Sequence, residues 1–129
     1  MFKELKNIID SSYSNISNYK VACIVKMKDG EFFEGVNVEN PSFKDGLCAE
    51  QVAIGSAITA GYTKGDFDCI YLLGSSSQAI TPCFLCRQVL IEFFDMEDTV
   101  ISYDNNGNER IYKIKELCPR IFGEADLND

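Results

Sequence analysis

The sequence contains no histidine. The imidazole that most often serves as a general base or metal ligand is therefore excluded, and any metal site has to be built from cysteine and carboxylate side chains. Positive charge is also scarce: 12 Lys and Arg face 20 Asp and Glu, a formal net charge of −8. A protein that grips a polynucleotide needs a basic footprint to replace phosphate counterions. The densest basic run is "KIKE", residues 113–116, so nucleic acid is not an expected partner, and a small neutral substrate suits the surface better. No run approaches the roughly 20 apolar residues of a membrane span. The first ten residues, "MFKELKNIID", have scattered charges and lack the apolar stretch of a secretory leader. These absences predict a soluble, cytoplasmic protein with no membrane partner. Low-complexity tracts, internal repeats and linkers are missing too, and one domain over residues 1–129 is expected.

What is present can build a core. With 46% hydrophobic residues, the chain can bury enough apolar surface without staples. Six cysteines in a cytoplasmic chain stay reduced, so short cysteine spacings point to metal binding or catalysis. The pattern predicts a helix over "FKELKNIIDSSYS", two strands in "YKVACIVKM" and "EFFEGVNVE" joined at Asp29-Gly30, and a helix over "CAEQVAIGSAITAGY". A strand "FDCIYLLG", a helix "CFLCRQVLIEFF" behind Pro82, strands "TVISYD" and "ERIYKI", and a short helix "KELCPRIF" complete it. Strands interleaved with helices give an α/β fold with one mixed sheet covered on both faces.

The chemistry is carried by "TPCFLCRQ", residues 81–88. Cys83 and Cys86, three apart at a helix start, fit a metal site, a redox pair or two core cysteines. "LCAEQ" adds Cys48 at the start of another helix, with Glu50 two residues on. Three thiolates from two helix starts can close three corners of a zinc tetrahedron and leave the fourth for water, as a catalytic site requires. Glu50 is then placed to move protons. Both helix starts present positive dipole ends that favour thiolates. Arg87 is either a further nearby cation or an ordinary solvated arginine. Cys23, Cys69 and Cys118 read as core or near-core residues.

"CAE" followed by "PCFLCRQ" resembles the zinc deaminases, and the cysteine-first form resembles the small homotetrameric members of the cytidine deaminase superfamily. "SNYKVACIV", "GVNVENPSF" (residues 35–43) and "KELCPRIF" resemble that family's first strand, nucleoside-binding segment and closing segment, in the expected order. The resemblance implies a three-layer α/β/α fold around a five-stranded mixed sheet, one Zn²⁺ per chain on Cys48, Cys83 and Cys86, and Glu50 as the proton shuttle. It implies hydrolytic deamination of cytidine or deoxycytidine in pyrimidine salvage, by a homotetramer. It assigns Asn37 and Glu39 to a sugar hydroxyl, the Ala49 N–H to the pyrimidine carbonyl, Tyr19 to the pocket wall and Phe122 to a neighbouring subunit's site. From the residues alone, Asn37 and Glu39 are equally well polar groups at a strand end, and either aromatic fits ordinary core packing. Gln51 stands where the family commonly has an arginine that bonds the ligand sulfurs. In this respect the chain also resembles the blasticidin-S deaminases, which share the fold and chemistry but lack the full N-V-E-N segment.

Overall fold

The computed structural model describes residues 1–128, so Asp129, the end of the expected domain, lies outside the described residues. The elements are α1 (Phe2–Ile9), β1 (Val21–Met27), β2 (Phe32–Val36), α2 (Ala49–Thr59), β3 (Phe67–Gly74), α3 (Phe84–Phe93), β4 (Thr99–Tyr103), β5 (Glu109–Lys113), α4 (Ile114–Leu117) and α5 (Glu124–Leu127), with a 3₁₀ turn at Phe43–Asp45. The five strands form one sheet in the order β2-β1-β3-β4-β5. Three neighbouring pairs are antiparallel, and β3 with β4 is parallel. That parallel pair needs a crossover, which α3 supplies. The mixed α/β/α sheet expected from the sequence is what forms.

The alternation along each strand sorts side chains to two faces. Cys23 and Val25 of β1, Ile70 and Leu72 of β3 and Val100 of β4 join α2 and α3 in the larger core. Ala22, Ile24, Leu73 and Tyr103 face the other way and are covered by Leu5 of α1. Phe67 closes the larger core against Phe94 and Phe93, with ring centroids 5.0 and 5.7 Å apart. At the β1–β2 hairpin, Gly30 takes φ +95°, a conformation glycine adopts without steric cost, and the Met27 N–H reaches Glu31 O. The helix expected over "KELCPRIF" stops at Leu117. Pro119 explains this, because the residue before a proline is pushed out of the α region; Cys118 has ψ +66°.

The topology places the site. β2 and β3 both run antiparallel to β1, so they run the same way, and α2 and α3, which follow them, both start at the same end of the sheet. Open α/β sheets bind ligands outside such carboxyl ends. One residue governs how closely α2 approaches. A Cβ built on Gly35 of β2 would lie 2.4 Å from Ala49 O and 2.5 Å from Ala53 N, so the first turn of α2 rests on bare backbone. Gly35→Ala is expected to push that turn outward, costing about 1–3 kcal/mol as overpacking does, and to lower zinc occupancy. Thermal melting and metal content check this; a variant matching the parent in both would show that α2 retreats at no cost.

Candidate active site

Cys48 and Cys83 occupy the N-cap positions of α2 and α3, and Cys86 lies in the first turn of α3. Their sulfurs all lie within 4.8 Å of one another, the single such cluster of potential metal ligands among the described residues. Cys48 Sγ and Cys83 Sγ are 3.9 Å apart. Two thiolates on a tetrahedral zinc, each at about 2.3 Å, would be roughly 3.8 Å apart. The donor set therefore fits zinc in chemistry and in spacing. Cys23 is buried in the core, and neither Cys69 nor Cys118 joins the cluster.

The thiols are electrostatically linked. Hydrogen bonding from Cys86 first, and from Cys83 after it, pulls the Cys48 thiol down to about 7 against burial and the Glu50 carboxylate. Cys86 is pushed well up, by its bond to Cys48 and then by burial. The aligned starts of α2 and α3 favour negative charge here, and metal binding needs the thiolate form. Glu50, in the first turn of α2, is only 5% exposed. Burial raises its pKa, opposed by hydrogen bonds from its own backbone N–H and from Cys86. Among the described residues no lysine or arginine pairs with it. A carboxyl raised in this way can exchange protons closer to neutral pH.

A cavity of about 460 Å³ opens onto this cluster. Its lining includes Tyr19, Asn37, Glu39, Cys48, Ala49, Glu50 and Cys83, so most of the residues singled out in the sequence converge on one space. Apolar Val21, Val38, Leu47, Ile80 and Leu85 form much of the remaining wall. Phe122 does not reach this cavity. It lines a separate groove beside Phe84 and Arg87 and is 56% exposed.

Asn37 and Glu39 prove to be clamps as well as cavity walls. Asn37 Oδ1 accepts from the Val21 N–H at 2.9 Å and from the Ser12 hydroxyl, while Nδ2 donates to Tyr19 O at 2.9 Å. Glu39 accepts from the N–H groups of Ile16 and Ser17 and from the Ser17 hydroxyl, and the Ser17 hydroxyl is the first cause of its lowered pKa. One N–H of Asn37 and one lone-pair site of the Glu39 carboxylate remain for a ligand by this inventory. The Tyr19 hydroxyl pairs with Ser76 Oγ at 2.7 Å. Gln51 Oε1 accepts from the Cys48 N–H at 2.9 Å, so this residue works as a helix cap. Arg87 likewise spends its guanidinium on oxygen acceptors and not on sulfur. Two contributions escaped the sequence reading: Ser17 as the brace of Glu39, and Gly35 as the seat of α2. Only Gly35 left a signal, since glycine inside a strand often marks close backbone approach.

Comparison with known proteins agrees with this geometry. The family model for the cytidine and deoxycytidylate deaminase zinc-binding region matches residues 1–103. A cytidine deaminase from Mycoplasma genitalium is 38% identical over 125 residues, spanning 97% of this chain and 95% of that protein. The crystal structure of cytidine deaminase from Burkholderia pseudomallei superposes with a TM-score of 0.88 at 36% identity, covering 93% of this chain and 94% of that one. A blasticidin-S deaminase from Bacillus cereus is 28% identical over 111 residues, covering 80% of this chain and 76% of that protein. With its three-thiol cluster, buried glutamate and matching sheet, the chain belongs to the zinc-binding cytidine and deoxycytidylate deaminase family.

Proposed function

We propose that this protein hydrolyses cytidine or 2′-deoxycytidine to uridine or 2′-deoxyuridine with release of ammonia, in pyrimidine salvage. The observation that carries this is one cavity lined by Cys48, Cys83, buried Glu50, Asn37 and Glu39, with buried Cys86 clustered against the two lining thiols. Cys48, Cys83 and Cys86 would hold the zinc, which when bound would lower the pKa of water and so supply a nucleophile near neutral pH. The Glu50 carboxylate accepts a proton from the attacking water and delivers it to ring N3, which makes C4 electrophilic. It then passes a proton to the departing amino group. The Ala49 N–H, at the start of α2, meets the ring carbonyl; the small side chain lets the base approach. The spare N–H of Asn37 and the Glu39 carboxylate bracket a sugar hydroxyl, which is donor and acceptor together.

Three further features complete the proposal. One catalytic domain binds one Zn²⁺ per chain. Exposed Phe84, Leu85, Ile121 and Phe122 support assembly into a homotetramer, with Phe122 reaching a neighbouring copy's site and Tyr19 staying in the wall of its own. A site built on three cysteines that form no disulfide supports a reducing, cytoplasmic compartment; no helix of the described residues is long and apolar enough to cross a membrane.

The substrate class is tested by ammonia release from a panel. Cytidine and deoxycytidine are expected to react. Free cytosine is expected to be worse by at least about 10²-fold in kcat/KM, because it leaves the sugar-binding groups unpaired. Cytidine monophosphate is expected to be poor, repelled by Glu39 and the acidic surface. Preference for blasticidin S over both nucleosides would assign the chain to the antibiotic instead. Equal use of cytosine or the monophosphate would refute the sugar contacts.

A further inference from the structure

Arg87 donates in three directions. Its Nε reaches Pro82 O at 2.7 Å, one terminal nitrogen reaches Leu117 O at 2.9 Å, and the other reaches Thr81 Oγ1 at 3.0 Å. The guanidinium carbon also lies 4.4 Å from the centroid of the Phe84 ring. These acceptors belong to two places that matter. Thr81 lines the catalytic cavity, and Pro82 is the residue directly before Cys83. Leu117 ends α4, on the far side of the turn.

Burial holds the Pro82 side chain and Cys86 in the core, but the turn between them that carries Cys83 has few hydrogen bonds besides those of Arg87. Pro82 has no N–H to donate. α3 has no side-chain hydrogen bond at its N-cap. Phe84 and Leu85, which follow Cys83, are 79% and 62% exposed, so neither anchors the turn in the core. A second strut lies alongside: Gln88 Nε2 donates to Phe122 O at 2.7 Å, which ties the segment after Leu117 to the same helix. A rigid planar fork with five donors suits such a junction, whereas a lysine ammonium on its flexible stem does not match it.

We propose that Arg87 is a positioning residue for the metal site: it braces Thr81-Pro82-Cys83 against the end of α4 and so aims Cys83 Sγ at Cys48 and Cys86. This deepens the zinc-deaminase reading and rests on it. Arg87 touches neither a ligand sulfur nor the reacting atoms, and acts through the backbone of the turn.

The test compares the wild-type protein with Arg87→Lys and Arg87→Ala. Zinc release to a chromogenic chelator, the thiolate-to-metal absorption of the cobalt-substituted protein, kcat and KM are measured for each, together with melting of the metal-free form. Losing a group bonded directly to a metal ligand costs about 10–100-fold in metal affinity or activity; Arg87 acts one residue removed, so Arg87→Ala is expected to release zinc about 10-fold faster, the lower end of that range, to shift the cobalt band and to lose kcat/KM. Arg87→Lys, whose three donors sit on a single nitrogen and cannot span acceptors on two sides of the turn, is expected to fall between. Wild-type zinc release and cobalt absorption in Arg87→Ala would overturn the proposal, even if its melting temperature fell. Should Arg87→Ala fail to fold, Arg87→Lys decides: faster release supports the brace, wild-type release refutes it. Zinc release needs no substrate, so this outcome is separate from any failure of the substrate assignment.

Discussion

Replacing Glu50 with glutamine is expected to leave fold and zinc content in place while removing nearly all turnover. The amide has the shape of the carboxylate, so the first turn of α2 should keep its packing. It also removes a charge whose burial is unfavourable, so the melting temperature should not fall. What it cannot do is take up and return a proton. General acid–base catalysis is worth on the order of 10²–10⁴-fold, and Glu50 serves both the ring nitrogen and the leaving group, so kcat should drop by at least the upper part of that range. The comparison needs zinc stoichiometry measured on the same sample. A zinc-loaded Glu50→Gln protein with near-normal kcat would remove Glu50 from the mechanism.

The second large effect is expected at Cys83. Among the three thiols it is the exposed one; Cys86 is fully buried and Cys48 is intermediate. Truncating Cys86 would leave a hole in the core, confusing a metal defect with a packing defect. Cys83→Ala avoids this, since an exposed substitution usually changes stability by no more than about 0.5 kcal/mol. Metal-free Cys83→Ala should therefore melt close to the metal-free parent. Its zinc affinity should fall by more than the roughly 10–100-fold that an outer-shell loss costs, and deaminase activity should disappear with the metal. Full zinc occupancy in Cys83→Ala after dialysis against chelator would mean that the ligand set has been misassigned.

The architecture and the centre of this site were legible because each rests on local pattern. Helical spacing at Phe2, Leu5, Ile8 and Ile9, alternation in the strands and Asp29-Gly30 at the hairpin all act within a few residues. The C-A-E at Cys48 and the C-x-x-C at Cys83, both at helix starts, carry the metal chemistry whatever the register between them. The hidden part depends on tertiary approach. That α2 sits on Gly35 is decided by two backbones meeting across the sheet, and a sequence shows only the glycine. Asn37 and Glu39 were expected to face a ligand, yet most of their bonds hold the Ser12–Val21 stretch in place. A polar residue at a strand end gives no sign of which neighbour will claim it. Arg87 and Gln51 show the same limit: both stand near ligand cysteines in the sequence, and both bind backbone oxygen or nitrogen instead. The helix expected over "KELCPRIF" ends early because Pro119 acts sterically on Cys118.

The most direct measurement is conversion of cytidine by the purified protein in water enriched in the heavy oxygen isotope, with zinc-loaded and metal-stripped samples compared. Hydrolytic deamination at a zinc site predicts uridine carrying one heavy oxygen at C4, ammonia in equal amount, no product from the stripped protein and recovery when zinc is restored. A sample with one zinc per chain and Glu50 intact that forms neither uridine nor ammonia would contradict the account.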